Sequence, residues 1–275
     1  MLAKRAITTS AAAVPLAIIC AVLIIAPAAA VAQDMMRHVD LSSPEMTSAE
    51  MTRAEVEARI AAVTSAQPLD LTGKRLSGLD LSGLDLSGAI LRAARLNKTK
   101  LADTKLEGTI LDQAWLLEAD LSRANLRGAS LFAAQMRRAR LDGADLSRAR
   151  IVADLTGASL VGARLIGANL AADMRNQSMG LMHAILKSAN LEGAVLREAD
   201  LSRADLEFAS LKDADLTNAS LRDAALGGTT LIGVTLVGTD FRGADLASAR
   251  LAKPTGLEAA KNLDKAHNLD RLWRE

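Results

Sequence analysis

The stretch ADLSRANLRGASLFAAQMRRARLDGADLSRAR, residues 119–150, decides the fold. In it an apolar residue returns at every fifth position: Leu121, Leu126, Leu131, Met136, Leu141 and Leu146. Followed outward, the series starts at Leu71, runs to Ile151, slips by one to Leu155 and continues to Leu170. It resumes at Leu186 and ends at Leu251, making 35 centres. All are Leu except Met136, Ile151 and Phe241, and 25 of them have Ala two residues earlier. On an α-helix, five residues drift by about 140° per repeat, so the centres scatter around the helix instead of forming a stripe. On a flat strand, every second centre flips to the opposite face. Only a chain that turns a corner every five residues keeps all of them inside. The inward pair is then Ala and Leu, the residue between them faces out, and the next two make the corner. Such repeats stack into an all-β solenoid with one continuous core.

Units such as Ala119-Asp120-Leu121, Ala124-Asn125-Leu126, Ala199-Asp200-Leu201 and Ala204-Asp205-Leu206, with the opening LDLSGLDLSG at 79–88, resemble the pentapeptide-repeat proteins over about residues 69–253. The resemblance implies a right-handed quadrilateral β-helix with four repeats, 20 residues, per coil. Residues 71–253 then make roughly nine coils and a rod about 43 Å long at one strand spacing per coil. The charges lean the same way, since at a spacing of 20 one outward column reads Asp80, Lys100, Asp120, Arg140, alternating in sign, and Ile90 stacks on Ile110.

The flanks read as separate segments. Residues 1–32 form a signal peptide or a signal anchor: Lys4 and Arg5 precede an uncharged run from Ala11 to Ala32 that ends in the A-x-A site Ala30-Val31-Ala32. Either form exports the rest of the chain to the periplasm or cell envelope, and an uncleaved form tethers it to the membrane through 11–32. Cys20 is the only cysteine and lies in this segment, and Ile19 before it does not suit lipidation. Residues 33–68 are expected to hold a tail and a capping helix, with Thr47-Ser48-Ala49-Glu50 as its capping box and Met51, Val56, Ile60 and Val63 as its apolar stripe. Lys74 takes an inward position in the first coil, its stem covering the open end. After the repeats, Pro254 is expected to stop the ladder. Thr255-Gly256-Leu257-Glu258 is expected to cap a second helix over 254–275, packing through Leu257, Ala260 and Leu263. Helices at both ends would cover the exposed strand edges. In the irregular segment 171–185 the two slips of register cancel, as two compensating bulges would.

Little in the chain points to chemistry. His38, His183 and His267 are its only histidines and sit in three different segments, and no phosphate loop or metalloprotease motif is present. The outward carboxylates, such as Asp200 and Asp205, read as solvated surface. A core of Leu and Ala leaves no ligand cavity, so neither an enzyme nor a cofactor is expected. Met174, Met179, Met182 and His183 are soft donors that could bind copper in an exported protein, but with no repeated Met motif they read as Met filling an irregular gap in the core. The resemblance also brings the family's DNA-mimicking, topoisomerase-binding activity. A formal net charge of +1 and an export signal argue against that, and against nucleic-acid binding generally. What remains is a non-catalytic rod, a scaffold for an unidentified protein partner. Residues 121–150 carry net +5 and 186–225 net −3, so the partner patch is expected at the basic band: Trp115, Leu117, Arg127, Phe132, Arg137, Arg138 and Arg140, facing an acidic partner.

Overall fold

The computed structural model describes residues 39–64, 67–173 and 182–274. The export segment, Cys20, His38, Met174 and Met179 lie outside the described residues.

Parallel bridges join each outward residue to the one 20 positions on: Asp70 to Ile90, Arg75 to Arg95, Asp80 to Lys100, Asp85 to Lys105. Twenty residues at five per side give a four-sided coil. Each side contributes one column of outward residues: face 1 runs from Asp70 to Lys261, face 2 from Arg75 to His267, face 3 from Asp80 to Trp273 and face 4 from Asp85 to Thr255. The repeating centres are buried to within a few per cent throughout and form one core with the inward Ala residues. Where Thr replaces the inward Ala, its hydroxyl is satisfied. Thr99, Thr104, Thr229 and Thr239 donate to the carbonyls of Leu76, Leu81, Leu206 and Leu216, and Thr109 donates back to Leu106.

The hydrogen bonds explain the pentapeptide. In each repeat the outward residue, the Leu and the second corner residue donate to neighbouring coils, as in Ile90 N to Leu69 O, Leu71 N to Ile90 O and Gly73 N to Arg92 O. The inward residue donates locally to the carbonyl three residues back, as in Ala89 N to Leu86 O, closing a turn whose third residue has positive φ. One donor is left over, the N–H of the first corner residue. The outward Asp or Asn two positions earlier accepts it: Asp80 from Ser82, Asp120 from Ser122, Asn125 from Arg127, Asp215 from Thr217. The outward acid is therefore part of the fold and not only solvated surface. Its preference for Asp and Asn follows from reach and acceptor chemistry.

This arrangement predicts an acid limit to stability. The hydroxyls and amides of Thr72, Ser82 and Ser87 hold the carboxyls of Asp70, Asp80 and Asp85 below their ordinary range, and the Arg123 guanidinium does the same to Asp103. A folded-state pKa below the unfolded one gives stability that is complete above the unfolded value and lost as pH falls through the folded value. Melting temperature is thus expected to hold from neutral pH to about pH 5 and to fall below about pH 4. Thermal melts across this range check it, and Asp→Asn at 80 and 85 should flatten the fall. A drop that begins near pH 6.5 would place the control elsewhere.

Both ends differ from the sequence expectation. At the N-terminus a short helix α1, Pro44–Thr47, precedes α2, Arg53–Ala61. The capping box is Thr52 with Glu55 and not Thr47 with Glu50. The earlier residues are used otherwise: Ala49 pairs antiparallel with Leu76, and Glu50 lies 3.2 Å from the Lys74 ammonium. Val56 is fully buried and Met51 and Ile60 pack on the core, whereas Val63 is 44% exposed. At the C-terminus no capping helix forms. Residues 254–274 continue the coil in sides of six, with 3-10 turns at Leu257–Ala259, Leu263–Lys265 and Leu269–Arg271. Strand β3, Trp273–Arg274, pairs with β2, Arg250–Ala252, which pairs with β1, Thr230–Ile232. Pro254 does not stop the ladder because it occupies the inward position, whose N–H makes only the local turn bond. The ladder resumes with Thr255 N donating to Val234 O at 2.8 Å.

The described ends of the irregular segment, 171–173 and 182–185, lie at one corner. The lost residue at Val152 shortens the corner between faces 1 and 2, and the longer excursion after Leu170 leaves from the same corner one coil later. Gln135 therefore pairs with Asp154, and Asp154 with Ile185. The two slips cancel because they stack.

Candidate interaction face

The corners and faces sort the predicted patch. Trp115 stands on face 2. Phe132 is at the corner between faces 1 and 2. Leu117, Arg137 and Arg138 are at the corner between faces 2 and 3. These five share one side of the rod. Arg140 turns away onto face 3, beside Asp120 at 3.6 Å and Asp142 at 3.8 Å. Arg127 lies at the diagonally opposite corner, between faces 4 and 1, paired with Asp145 at 3.2 Å. It does not belong to the patch. A five-residue side sends residues ten apart to opposite directions, and linear counting of charge hides this.

Pairing also trims the positive band. Arg137 lies 2.5 Å from the carboxylate of Asp154, which is only 4% exposed. Arg150 bonds Asp173 at 2.8 Å and stands 4.3 Å above the Phe132 ring. The backbone N–H of Phe132 donates to Asp112, which also accepts from Ser130. The arginines of the more acidic half are paired as well: Arg197 with Asp215, Arg203 with Asp223 and Arg222 with Asp240. The net charge of a band thus overstates what a partner meets.

Sequence reasoning missed Arg95, which precedes Trp115 by one coil on face 2. Its Nη1 reaches the carbonyl of Gly73 at 3.4 Å, and its Nε is buried with no hydrogen-bond partner. The period of 20 locates it once face 2 is defined. Arg138 is exposed, and its stem lies across Gly157 of the next coil. Among the described residues, no carboxylate lies within ion-pair distance of Arg95 or Arg138.

Met182 and His183 line a notch with Ala133, Gln135, Val152, Ala153, Asp154 and Ile185 beside the shortened corner. Its free volume is about 10 Å³, room for a single water. Among the described residues, no three His, Cys, Asp or Glu side chains come together as metal ligands. No helix among them is long and apolar enough to cross a membrane.

Comparison with known proteins agrees with this construction. The family model for pentapeptide repeats matches eight copies, over residues 75–113, 116–148, 153–171, 184–223 and 219–253, more than half of the chain. The chain belongs to the pentapeptide-repeat family. Among solved structures it is similar to HetL from the cyanobacterium Nostoc sp. strain PCC 7120, a pentapeptide repeat protein involved in heterocyst differentiation regulation. The two are 32% identical over 80% of this chain and 98% of that one, with a TM-score of 0.36. It is also similar to QnrB1, a plasmid-mediated fluoroquinolone resistance protein, at 15% identity over 75% of this chain and 92% of that one, TM-score 0.36. A third is Rfr23 from the cyanobacterium Cyanothece 51142, at 27% identity over 44% and 87%, TM-score 0.23. No curated protein matches the chain significantly.

Proposed function

We propose that this protein is a non-catalytic rod of the cell envelope, wound right-handed as the family is, that holds a protein partner against its outer surface. The observation that carries this reading is the filled interior. Between the first coil and the last turn, Leu, Ala and Thr fill nearly all the inward positions at near-zero exposure, so recognition falls to the outside. The coil ladder fixes outward side chains at one strand spacing, a rigid display that loses little entropy on binding. Lys4, Arg5, the uncharged run and Ala30-Val31-Ala32 support export.

Fractionation of cells carrying a C-terminally tagged chain tests the location, with mass spectrometry of its N-terminus. The expected result is an envelope or periplasmic protein, either starting at Gln33 or tethered through 11–32. A wholly cytoplasmic chain with an intact N-terminus would overturn the envelope role. Crosslinking within intact envelopes, followed by purification through the tag, is expected to yield a stoichiometric protein adduct. Recovery of the uncrosslinked rod alone would count against the scaffold.

A further inference from the structure

Face 2 already holds a carboxylate in its first coil. Glu50 comes from the arm that pairs antiparallel with the coil at Ala49 and Leu76. Its two oxygens lie 3.2 Å from Lys74 Nζ and 3.6 Å from Arg75 Nε. One coil further along the same column, Arg95 repeats the cation without the acid, and its Nε, like that of Arg75, is buried with no hydrogen-bond partner. Leaving a buried charged donor unsatisfied costs stability. Two coils beyond Arg95, Arg138 stands exposed at the flanking corner, also without an acid. Trp115 and Leu117 lie in the coil between them, and Phe132 stands at the other corner of the fourth coil under Arg150, each half-buried. Eight other arginines are neutralised by acids from neighbouring coils. Arg95 and Arg138 thus present two guanidinium groups without an acid on the same side of the rod as Trp115 and Leu117.

We propose that face 2, between its second and fourth coils, binds an acidic extended segment of a partner protein through side chains alone, with carboxylates facing its arginines as Glu50 faces Lys74 and Arg75 in the first coil. Arg95 and Arg138 each take a carboxylate, in the bidentate manner open to arginine. An apolar side chain between the two acids packs on Trp115 and Leu117. Two coil spacings are about 10 Å, so the acids stand about three extended residues apart. This inference rests on the display reading above and names the chemistry of its partner.

The chain has two tryptophans, so Trp273→Phe leaves Trp115 as the sole reporter of this face. The probes are a synthetic decapeptide of alternating Asp and Leu, its Lys and Leu counterpart, and phosphatidylglycerol vesicles, each titrated at low salt. The acidic peptide is expected to shift Trp115 emission saturably. Arg95→Gln with Arg138→Gln should weaken this by about tenfold. Arg148→Gln with Arg164→Gln, exposed on other parts of the rod, should change it by less than about twofold. Should the first pair disturb folding in a thermal melt, Arg138→Glu alone, at an exposed corner, should weaken binding roughly fivefold. Equal loss from both pairs, equal binding of the basic peptide, a response to vesicles alone, or no saturable shift with the acidic peptide would each overturn the site. If that happens while intact envelopes still yield a protein adduct, this site fails and the display rod stands.

Discussion

Leu121→Asp is expected to unfold the middle coils, with a loss above about 4 kcal/mol. Leu121 is fully buried, stacked between the centres of its neighbouring coils, and the new carboxylate has no donor in an interior of Leu and Ala. Burying an uncompensated charge and deleting a packed aliphatic side chain add together here. Because each coil contacts only its neighbours, the damage is expected to be local first. Hydrogen exchange should show lost protection around residues 100–145 before the distant coils open. The adjacent outward substitution Asp120→Ala is the control. Asp120 accepts from the Ser122 N–H at 3.0 Å and from its hydroxyl at 2.6 Å, and lies 3.6 Å from Arg140. Its loss should cost about 1 kcal/mol, the value of a corner cap and a partly exposed ion pair. Equal urea midpoints for the two variants would mean that the inward assignment is wrong.

Gly228→Val should be the next most damaging change, at about 2–4 kcal/mol. Two costs meet at this corner. Gly228 has φ +67, a left-handed conformation that a β-branched residue adopts with strain. A Cβ there would also lie 2.6 Å from Cδ1 of Phe208, whose ring crosses the glycine from the coil before. At Gly78, with φ +76, nothing lies within 4 Å of the corresponding point, so the same substitution there meets only the backbone cost. A double-mutant cycle separates the two costs. Phe208→Ala should relieve Gly228→Val by about 1 kcal/mol and leave Gly78→Val unchanged. Equal penalties at both glycines and no coupling would mean that the ring plays no part.

Phe208 shows how the corners of successive coils constrain one another. A residue in the left-handed corner position leans its side chain over the same position one coil later. Asp213, Asn218 and Asp223 lie across Gly233, Gly238 and Gly243 in this way, so these later glycines provide space as well as positive φ. Nothing in the pentapeptide itself announces this, because the two residues are 20 apart and become neighbours only through the winding.

The sequence by itself determined the corner every five residues. A period of five is incompatible with a helix stripe or a flat strand, and the inward Leu and Ala, the corners and the solenoid follow from it with no tertiary information. Four repeats per coil came from the family resemblance, toward which the alternation Asp80, Lys100, Asp120, Arg140 leaned only slightly, and the ladder makes that series a column. Three things were decided only by the tertiary structure. The C-terminal segment carries Leu257, Ala260 and Leu263 at a spacing that suits a helix equally well. It becomes a tenth turn because the last coil offers it an open ladder, with Lys261, His267 and Trp273 donating to Thr239, Ala244 and Ala249. A short isolated helix, marginal in water, has no comparable partner. The outward Asp and Asn residues, which composition alone assigns to solvent, are corner caps because the turn brings an unpaired N–H within their reach. The basic band divides once the coil is closed. Arg127 goes to the far corner, Arg137 and Arg140 are neutralised by acids from adjoining repeats, and Arg95 joins Trp115 from a coil away. Charge along a chain is a one-dimensional quantity, and a four-sided coil sends neighbours in sequence to different faces while bringing residues 20 apart side by side.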